Sequence, residues 1–468
     1  MAERPGAGRG TSRRAFAALL LITLLCALSP SRAQSAEETK YIVKLREPAD
    51  APFAVVGERE MRRLMRAGRL EWAEKDGEAI LLEPEAEAEL LGTLSPYYAD
   101  EQWNLDMIGA DAAFRQGCLG QGVRVGVLDS GVNPHPAFGD RLLAGHNYVQ
   151  DAEEPEDTSD SYGHGTRIAG LIAAAGEEGY IGTAPGAEIV PLKVTDGKTV
   201  KVSAICEAIY GAVDDYGCQV LNLSMGVRTD YNALREAVAY AEARGVVVVS
   251  AVGNSGSNAM YYPAGYDTVI GVGAVDCNSV LYYNSDHNES VFLTAPGVDV
   301  RSTASAGGCI SSTGTSFSVP QVAGAAAVLL GMDGNLTPER IRTLLADTAS
   351  DAGAEGYDEY YGYGILNLGG CVSLLTEGEV SPGEKCSFLP EAGAASAVRN
   401  NTDGELDCTY LLAEYDEAGV CLGVKTWRFT LTAGETTAIA VPDEDTNYGQ
   451  FIYETNTLRP LTEARKPR

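Results

Sequence analysis

The chain has 468 residues, 65 acidic against 35 basic, for a net charge of −30. That balance excludes nucleic acid and anionic membrane surfaces as natural partners and leaves only long-range steering of cationic substrates. At 45% hydrophobic residues, the chain can bury a large core and is no wholly disordered polymer. At the amino terminus, Arg13-Arg14 precede the apolar run Phe16 to Leu28, and Ser31-Arg32-Ala33 ends in a small residue. Residues 1–33 therefore read as a secretory signal peptide, too short for a stable membrane span. Ser12 to Phe16 also resembles a twin-arginine signal, which leaves the export route open. No other long apolar run follows, so a secreted, extracellular protein without a membrane span is expected.

Residues 34–96 differ in character. Lys40 to Leu45 reads as a strand, Glu58 to Leu70 as a charged helix and Ala79 to Leu82 as a second strand, together a small α+β unit. Residues 97–375 hold the segments with chemistry. Gln121 to Leu128 is a β-branched run suited to a buried parallel strand, with Asp129 at its carboxyl end. In open α/β sheets that end faces the binding crevice. His164 stands between Gly163 and Gly165 at the start of a helical pattern reaching Ala175. Ser316, in Gly314-Thr315-Ser316-Phe317-Ser318-Val319-Pro320, opens a second helix rich in Ala and Gly. Beyond Cys371, strands fit Leu406 to Tyr415 and Val420 to Leu431 around the turn Asp416-Glu417-Ala418-Gly419, then Thr436 to Val441 and Gln450 to Tyr453. Residues 376–468 are thus expected to form a small β-sandwich-like accessory domain, whose role as ligand binder or spacer stays open.

A serine hydroxyl needs a general base within hydrogen-bond reach, and the base needs an anionic partner to fix its tautomer. Singly, a strand-end Asp, a Gly-His-Gly turn and a serine before a helix are ordinary structural features. Together, in the order Asp129, His164, Ser316, they point to a nucleophile with its base and orienting acid. Other chemistries lack context. Gly117 to Gly122 precedes its strand and makes no dinucleotide loop, and no HExxH occurs. Four histidines and no CxxC pair argue against zinc. Ten cysteines become nine once Cys26 leaves with the signal, an odd number from which no pairing is assigned, and none shares a motif with His164.

The three motifs resemble those of the subtilisin-like serine proteases, the subtilases, across about Tyr97 to Cys371. The resemblance implies a three-layer α/β fold with a mainly parallel central sheet. It implies Asp129 as the orienting acid, His164 as general base then acid, and Ser316 as nucleophile. Asn254, in Ala251-Val252-Gly253-Asn254-Ser255-Gly256, matches the family's oxyanion donor, with the Ser316 N–H as second donor. Leu221 to Gly226 resembles the edge that pairs with an extended peptide, so Ser224, Met225, Gly226 and Gly253 are expected to bind substrate. Tyr261, before Tyr262-Pro263, falls where the family builds the floor of its primary specificity pocket, and its bulk should shorten that pocket. Two positions depart from the pattern: Arg167 stands where a second histidine is common, and Phe317 where methionine commonly follows the nucleophile.

The same resemblance makes residues 34–96 an inhibitory propeptide occupying the chain's own active site, cut between Gly92 and Tyr98. The implied activity is a secreted serine endopeptidase acting on extended polypeptides, matured by that cut. The alternative is an inactive binding or adhesion protein on the same scaffold. No cofactor is needed for the chemistry. Structural calcium, common in the family, stays open and unlocated, with Glu177 and Glu178 as oxygen donors in the loop 173–182.

Overall fold

A computed structural model describes residues 39–46, 51–82, 102–150, 152–175 and 181–377, and beyond them the strand residues between 386 and 454 with Thr432. The expected signal peptide and the range Gly92 to Tyr98 lie outside the described residues. Two compact units divide at Asp76 and Gly77.

In the first unit, strands β1 (Lys40–Leu45), β2 (Ala54–Gly57) and β3 (Leu70–Lys75) form an antiparallel sheet in the order β2-β1-β3. Helix α1 (Glu58–Arg66) places Met61 and Leu64 against Val43 and Leu70. This unit ends earlier than the expected boundary at residue 96. The strand expected at Ala79 to Leu82 pairs within the second unit.

The second unit begins with β4 (Glu78–Leu81), followed by short helices α2 (Trp103–Met107) and α3 (Ala110–Arg115). Its centre is built from β5 (Arg124–Asp129), β6 (His146–Asn147), helix α4 (His164–Ala173) and β7 (Glu188–Lys193). After β8 (Thr199–Lys201) and α5 (Val202–Asp214) come β9 (Val220–Leu223), β10 (Met225–Gly226), α6 (Asn232–Glu242) and β11 (Val247–Ala251). Strands β12 (Ile270–Val275), β13 (Leu293–Pro296), β14 (Val300–Thr303) and β15 (Cys309–Ser312) lead to helices α7 (Thr315–Met332), α8 (Pro338–Thr348) and α9 (Leu368–Glu377). Seven strands make one parallel sheet in the order β13-β12-β11-β9-β5-β7-β6. Helices α4 and α7 pack on each other and on the sheet, as do α5 and α6, which gives the three-layer α/β architecture.

A parallel sheet covered on both faces buries every side chain of its central strands, which is why Val125 to Asp129 and Val247 to Ala251 are buried throughout. Close approach requires small residues: a Cβ on Gly126 would meet Leu221, Leu192 and Cys218 at 2.9 to 3.2 Å. Helix α7 is buried from Thr315 to Leu330. Among the described residues it is the one helix long and apolar enough to cross a membrane, and it is the core helix instead. At the carboxyl end, strands β16 (Cys386–Leu389), β17 (Ala395–Asn400), β18 (Leu406–Tyr415), β19 (Cys421–Leu431), β20 (Thr436–Ala440) and β21 (Tyr448–Glu454) form two antiparallel sheets, β16-β17-β20 and β19-β18-β21.

Candidate active site

Asp129, the last residue of β5, is fully buried. Both its carboxylate oxygens face Nδ1 of His164, at 2.8 and 2.9 Å. A carboxylate there requires the proton on Nδ1 and leaves Nε2 as the basic nitrogen. His164 opens α4 behind Gly163, whose φ of +89° is the left-handed region that favours glycine. The approach of the two side chains depends on Gly165. A Cβ there would lie 2.1 Å from the Gly131 carbonyl and 3.0 Å from Asp129 Cβ.

A second carboxylate holds this geometry. Asp160 is buried and accepts from the N–H groups of Gly163 (2.6 Å) and Thr166 (2.8 Å) and from the Thr166 hydroxyl (2.6 Å), which places an anion at the N-terminus of α4. It also accepts from Ser130 Oγ at 2.8 Å, and Ser130 Oγ in turn accepts from Gly165 N–H at 3.0 Å. Asp160 thereby ties the residue after Asp129 to the turn carrying His164. Sequence reasoning missed it, because it ends the acid-rich stretch Asp151 to Asp160 with no motif to set it apart.

Ser316 is the second residue of α7 and is fully buried. Its hydroxyl is directed at two carbonyls, Leu82 at 2.6 Å and Ser224 at 3.2 Å. The Leu82 carbonyl also accepts from the side-chain amide of Asn254, while Asn254 Oδ1 accepts from Thr315 N–H at 2.9 Å. That second bond fixes which way the amide faces. Asn254 and Ser316 thus converge on one peptide carbonyl. The Ser316 N–H, expected as second oxyanion donor, is not among the donors to this ground-state carbonyl. Ser224 links strand to helix, since its hydroxyl donates to the Ser316 carbonyl at 2.9 Å and accepts from Asn222 at 3.0 Å.

The carbonyl belongs to the residue that follows β4. β4 runs antiparallel to β10, with Leu81 opposite Met225 and Ile80 opposite Gly226, and antiparallel to β8 on its other edge. Leu82 N–H donates to Ser224 O at 3.1 Å. The side chains of Ala79, Leu81 and Leu82 are buried, while Ile80 is exposed. Leu82 Cδ1 would lie 3.3 Å from a Cβ on Gly226, and Tyr261 Cβ 3.0 Å from the same point. The absence of a side chain at Gly226 therefore lets Leu82 and Tyr261 come together there. Tyr261 is held in turn: its hydroxyl accepts from Arg228 Nε at 3.1 Å, the Arg228 guanidinium lies 5.2 Å from its ring centroid, and a Cβ on Gly253 would strike its ring.

Of the residues singled out from the sequence, Asn254 and Ser316 meet at the Leu82 carbonyl, Ser224, Met225 and Gly226 lie along Ile80 to Leu82, Tyr261 and Gly253 pack beside Gly226 and Asn254, and His164 with Asp129 adjoins Phe317, the residue after Ser316. The carbonyl against Ser316 is Leu82's, upstream of the range Gly92 to Tyr98, which lies outside the described residues. Residues 176–180 of the candidate calcium loop lie outside the described residues. Among the described residues no cluster of three or more His, Cys, Asp or Glu could hold a metal ion.

Comparison with known proteins agrees with this geometry. Residues 120–364 match the profile described as "Subtilase family". The chain is 38% identical to Subtilisin BL of Lederbergia lenta over 268 residues, covering 57% of this chain and 96% of that protein. It is 31% identical to the Thermostable alkaline protease of Halalkalibacterium halodurans over 341 residues, 72% of this chain and 88% of that protein. Over 322 residues it is 34% identical to Fervidolysin of Fervidobacterium pennivorans, 60% of this chain and 45% of that protein.

Proposed function

Since the chain belongs to the subtilase family of serine endopeptidases, we propose that it is an exported zymogen that first cuts its own chain between Leu82 and Glu83. It then hydrolyses extended polypeptides, favouring an aliphatic side chain before the cut. The observation that carries this reading is the Leu82 carbonyl, set 2.6 Å from Ser316 Oγ and within reach of the Asn254 amide.

Ser316 Oγ attacks the carbonyl carbon as its proton passes to His164 Nε2, and the Asp129 carboxylate stabilises the imidazolium that forms. Negative charge builds on the carbonyl oxygen only in the transition state, so the Asn254 amide, already aimed there, strengthens as the barrier is crossed. The Ser316 N–H joins it as that oxygen shifts towards the start of α7. His164 then protonates the leaving amine, and the acyl group stays on Ser316. A water deprotonated by His164 hydrolyses the ester and regenerates the hydroxyl. Pairing of Leu81 and Ile80 with β10 supplies main-chain affinity that is independent of sequence. The pocket bounded by Gly226 and Tyr261 supplies selectivity, and Leu82 is the side chain seated in it.

The apolar run Phe16 to Leu28 with its small-residue terminus supports export, and the unit preceding Leu82 supports an inhibitory role for the leading segment. The reading is tested by a fluorophosphonate. Stoichiometric labelling of Ser316 in the released enzyme, lost in His164→Ala, is expected; an unlabelled Ser316 would favour the binding-protein alternative. A peptide library should rank leucine above phenylalanine and tyrosine before the cut, and a strong preference for large aromatic residues refutes the pocket assignment.

A further inference from the structure

The two departures from the family pattern, Arg167 and Phe317, pack on each other at the catalytic imidazole. The buried Phe317 ring has its centroid 5.4 Å from that of His164, tilted by 59°. Over the same ring lies the Arg167 guanidinium, 5.3 Å from the centroid. Arg167 is half-buried and held at two further points. Its Nε donates to the Gly163 carbonyl at 3.0 Å and its Nη1 to Ser312 Oγ at 3.2 Å. Gly163 opens the helix that begins with the base, and Phe317 directly follows the nucleophile, its N–H donating to Gly314 O at 3.0 Å. The stack therefore joins the starts of α4 and α7.

We propose that Arg167 and Phe317 form a positioning unit for the catalytic imidazole, in which the guanidinium clamps the phenyl ring against His164 and fixes the base relative to the nucleophile. A phenyl ring offers the imidazole a wall with no competing hydrogen-bond partner. It narrows the ring's motion while Asp129 sets its tautomer, and such restriction favours proton transfer along one line.

Charge adds a second effect. The guanidinium is permanently ionised and lies no farther from the imidazole than the sum of 5.3 and 5.4 Å, across an apolar ring. Other charged groups on the surrounding elements are Asp129 on β5, Asp160 at the N-terminus of α4, Lys193 on β7, bonded to Asp196 and Ser159 O, Arg301 on β14, bonded to Cys309 Sγ, and Arg124 on β5 with Glu188 on β7, paired with each other at 3.1 Å. Helix α7 carries no charged residue. Asp129 favours the imidazolium and Arg167 opposes it, so Arg167 keeps the base competent further into acid than Asp129 alone would.

This inference rests on His164 being the base, and the test separates the two. Enzyme released from the full chain is compared for wild type, Arg167→Lys, Arg167→Gln, Phe317→Tyr and Phe317→Leu, reading kcat, KM, pH profile and melting temperature. In Arg167→Gln the acid limb of kcat/KM should move to higher pH, by about one unit or more for a unit charge within that separation and an effective dielectric constant of about 20. Arg167→Lys should leave the limb where it stands in wild type. In Phe317→Leu kcat should fall about two- to fivefold, the value of a lost cation–π contact, with KM unchanged, and Phe317→Tyr should restore it. An unmoved acid limb in Arg167→Gln together with an unchanged kcat in Phe317→Leu overturns the proposal, and so does a lowered melting temperature with both kinetic readouts unchanged. Should Arg167→Gln fail to fold, the kcat of Phe317→Leu and its recovery in Phe317→Tyr decide alone. A wild type that fluorophosphonate does not label at Ser316 instead removes the assignment of His164.

Discussion

Replacing Gly165 by alanine isolates the contact between acid and base. A Cβ there would stand 2.1 Å from the Gly131 carbonyl oxygen and 3.2 Å from Asp129 Oδ1. Both neighbours are constrained, one being backbone and the other bonded to His164 and Ser130. Relief requires the start of α4 to withdraw from β5 by about 1 Å, and a misplacement of that size at a catalytic group lowers turnover about 10²-fold. Overpacking of this kind costs about 1–3 kcal/mol, against which the better helix propensity of alanine returns about 0.5–1 kcal/mol. The net loss lowers the melting temperature by up to about 4 °C in a domain of this size, at about 2.1 cal/mol/K of unfolding entropy per residue. Turnover of a leucine-containing peptide by the released enzyme and calorimetric melting measure both. A Gly165→Ala enzyme with wild-type kcat and an unchanged or raised melting temperature would refute the claim that this glycine sets the Asp129–His164 distance.

Three further outcomes follow from other contacts. Asp160→Asn replaces a carboxylate that accepts from two N–H groups and two hydroxyls, and hydrogen bonds to a charged group are worth about 1.5–3 kcal/mol; kcat should fall with little change in KM, and an unchanged kcat would remove Asp160 from the positioning network. Leu82→Trp overfills the pocket bounded by Gly226 and Tyr261, so self-cleavage should slow relative to Leu82→Met, followed as the ratio of precursor to cut chain. Burial pushes the thiols of Cys218 and Cys371 up to about 12, so both stay protonated through neutral pH. Iodoacetamide at pH 8 should modify them only after denaturation, and modification in the native enzyme would contradict their burial.

The segments carrying Asp129, His164 and Ser316 were legible because their small and apolar residues are demanded by the close packing around them. Gly165 follows His164 since nothing larger fits between the helix start and β5, Gly163 precedes it since a φ of +89° favours glycine, and Asp129 ends an apolar run that only a covered parallel strand explains. The strands at Lys40 to Leu45 and Leu406 to Tyr415 were legible from their composition. Strands Ala54–Gly57 and Leu70–Lys75 were hidden, the latter because its Glu-Trp-Ala-Glu-Lys sequence lacks apolar alternation and lies next to a charged helix. The destination of Ala79 to Leu82 was unreadable for a different reason. A short apolar strand carries no record of its partner, and its pairing with Met225 and Gly226 spans a large separation in sequence. Asp160 and Arg228 act by where the fold delivers them, on the turn of His164 and on the ring of Tyr261, and a single acid or arginine among many gives no signal of that.

The central claim is that Ser316 attacks the carbonyl of Leu82. Its most direct test is the amino-terminal sequence of the catalytic chain recovered after export, compared between wild type and Ser316→Ala. The account predicts a wild-type chain first cut to begin at Glu83 and an uncut Ser316→Ala chain in which Leu82 still joins Glu83. A Ser316→Ala chain cut at that same bond would contradict it.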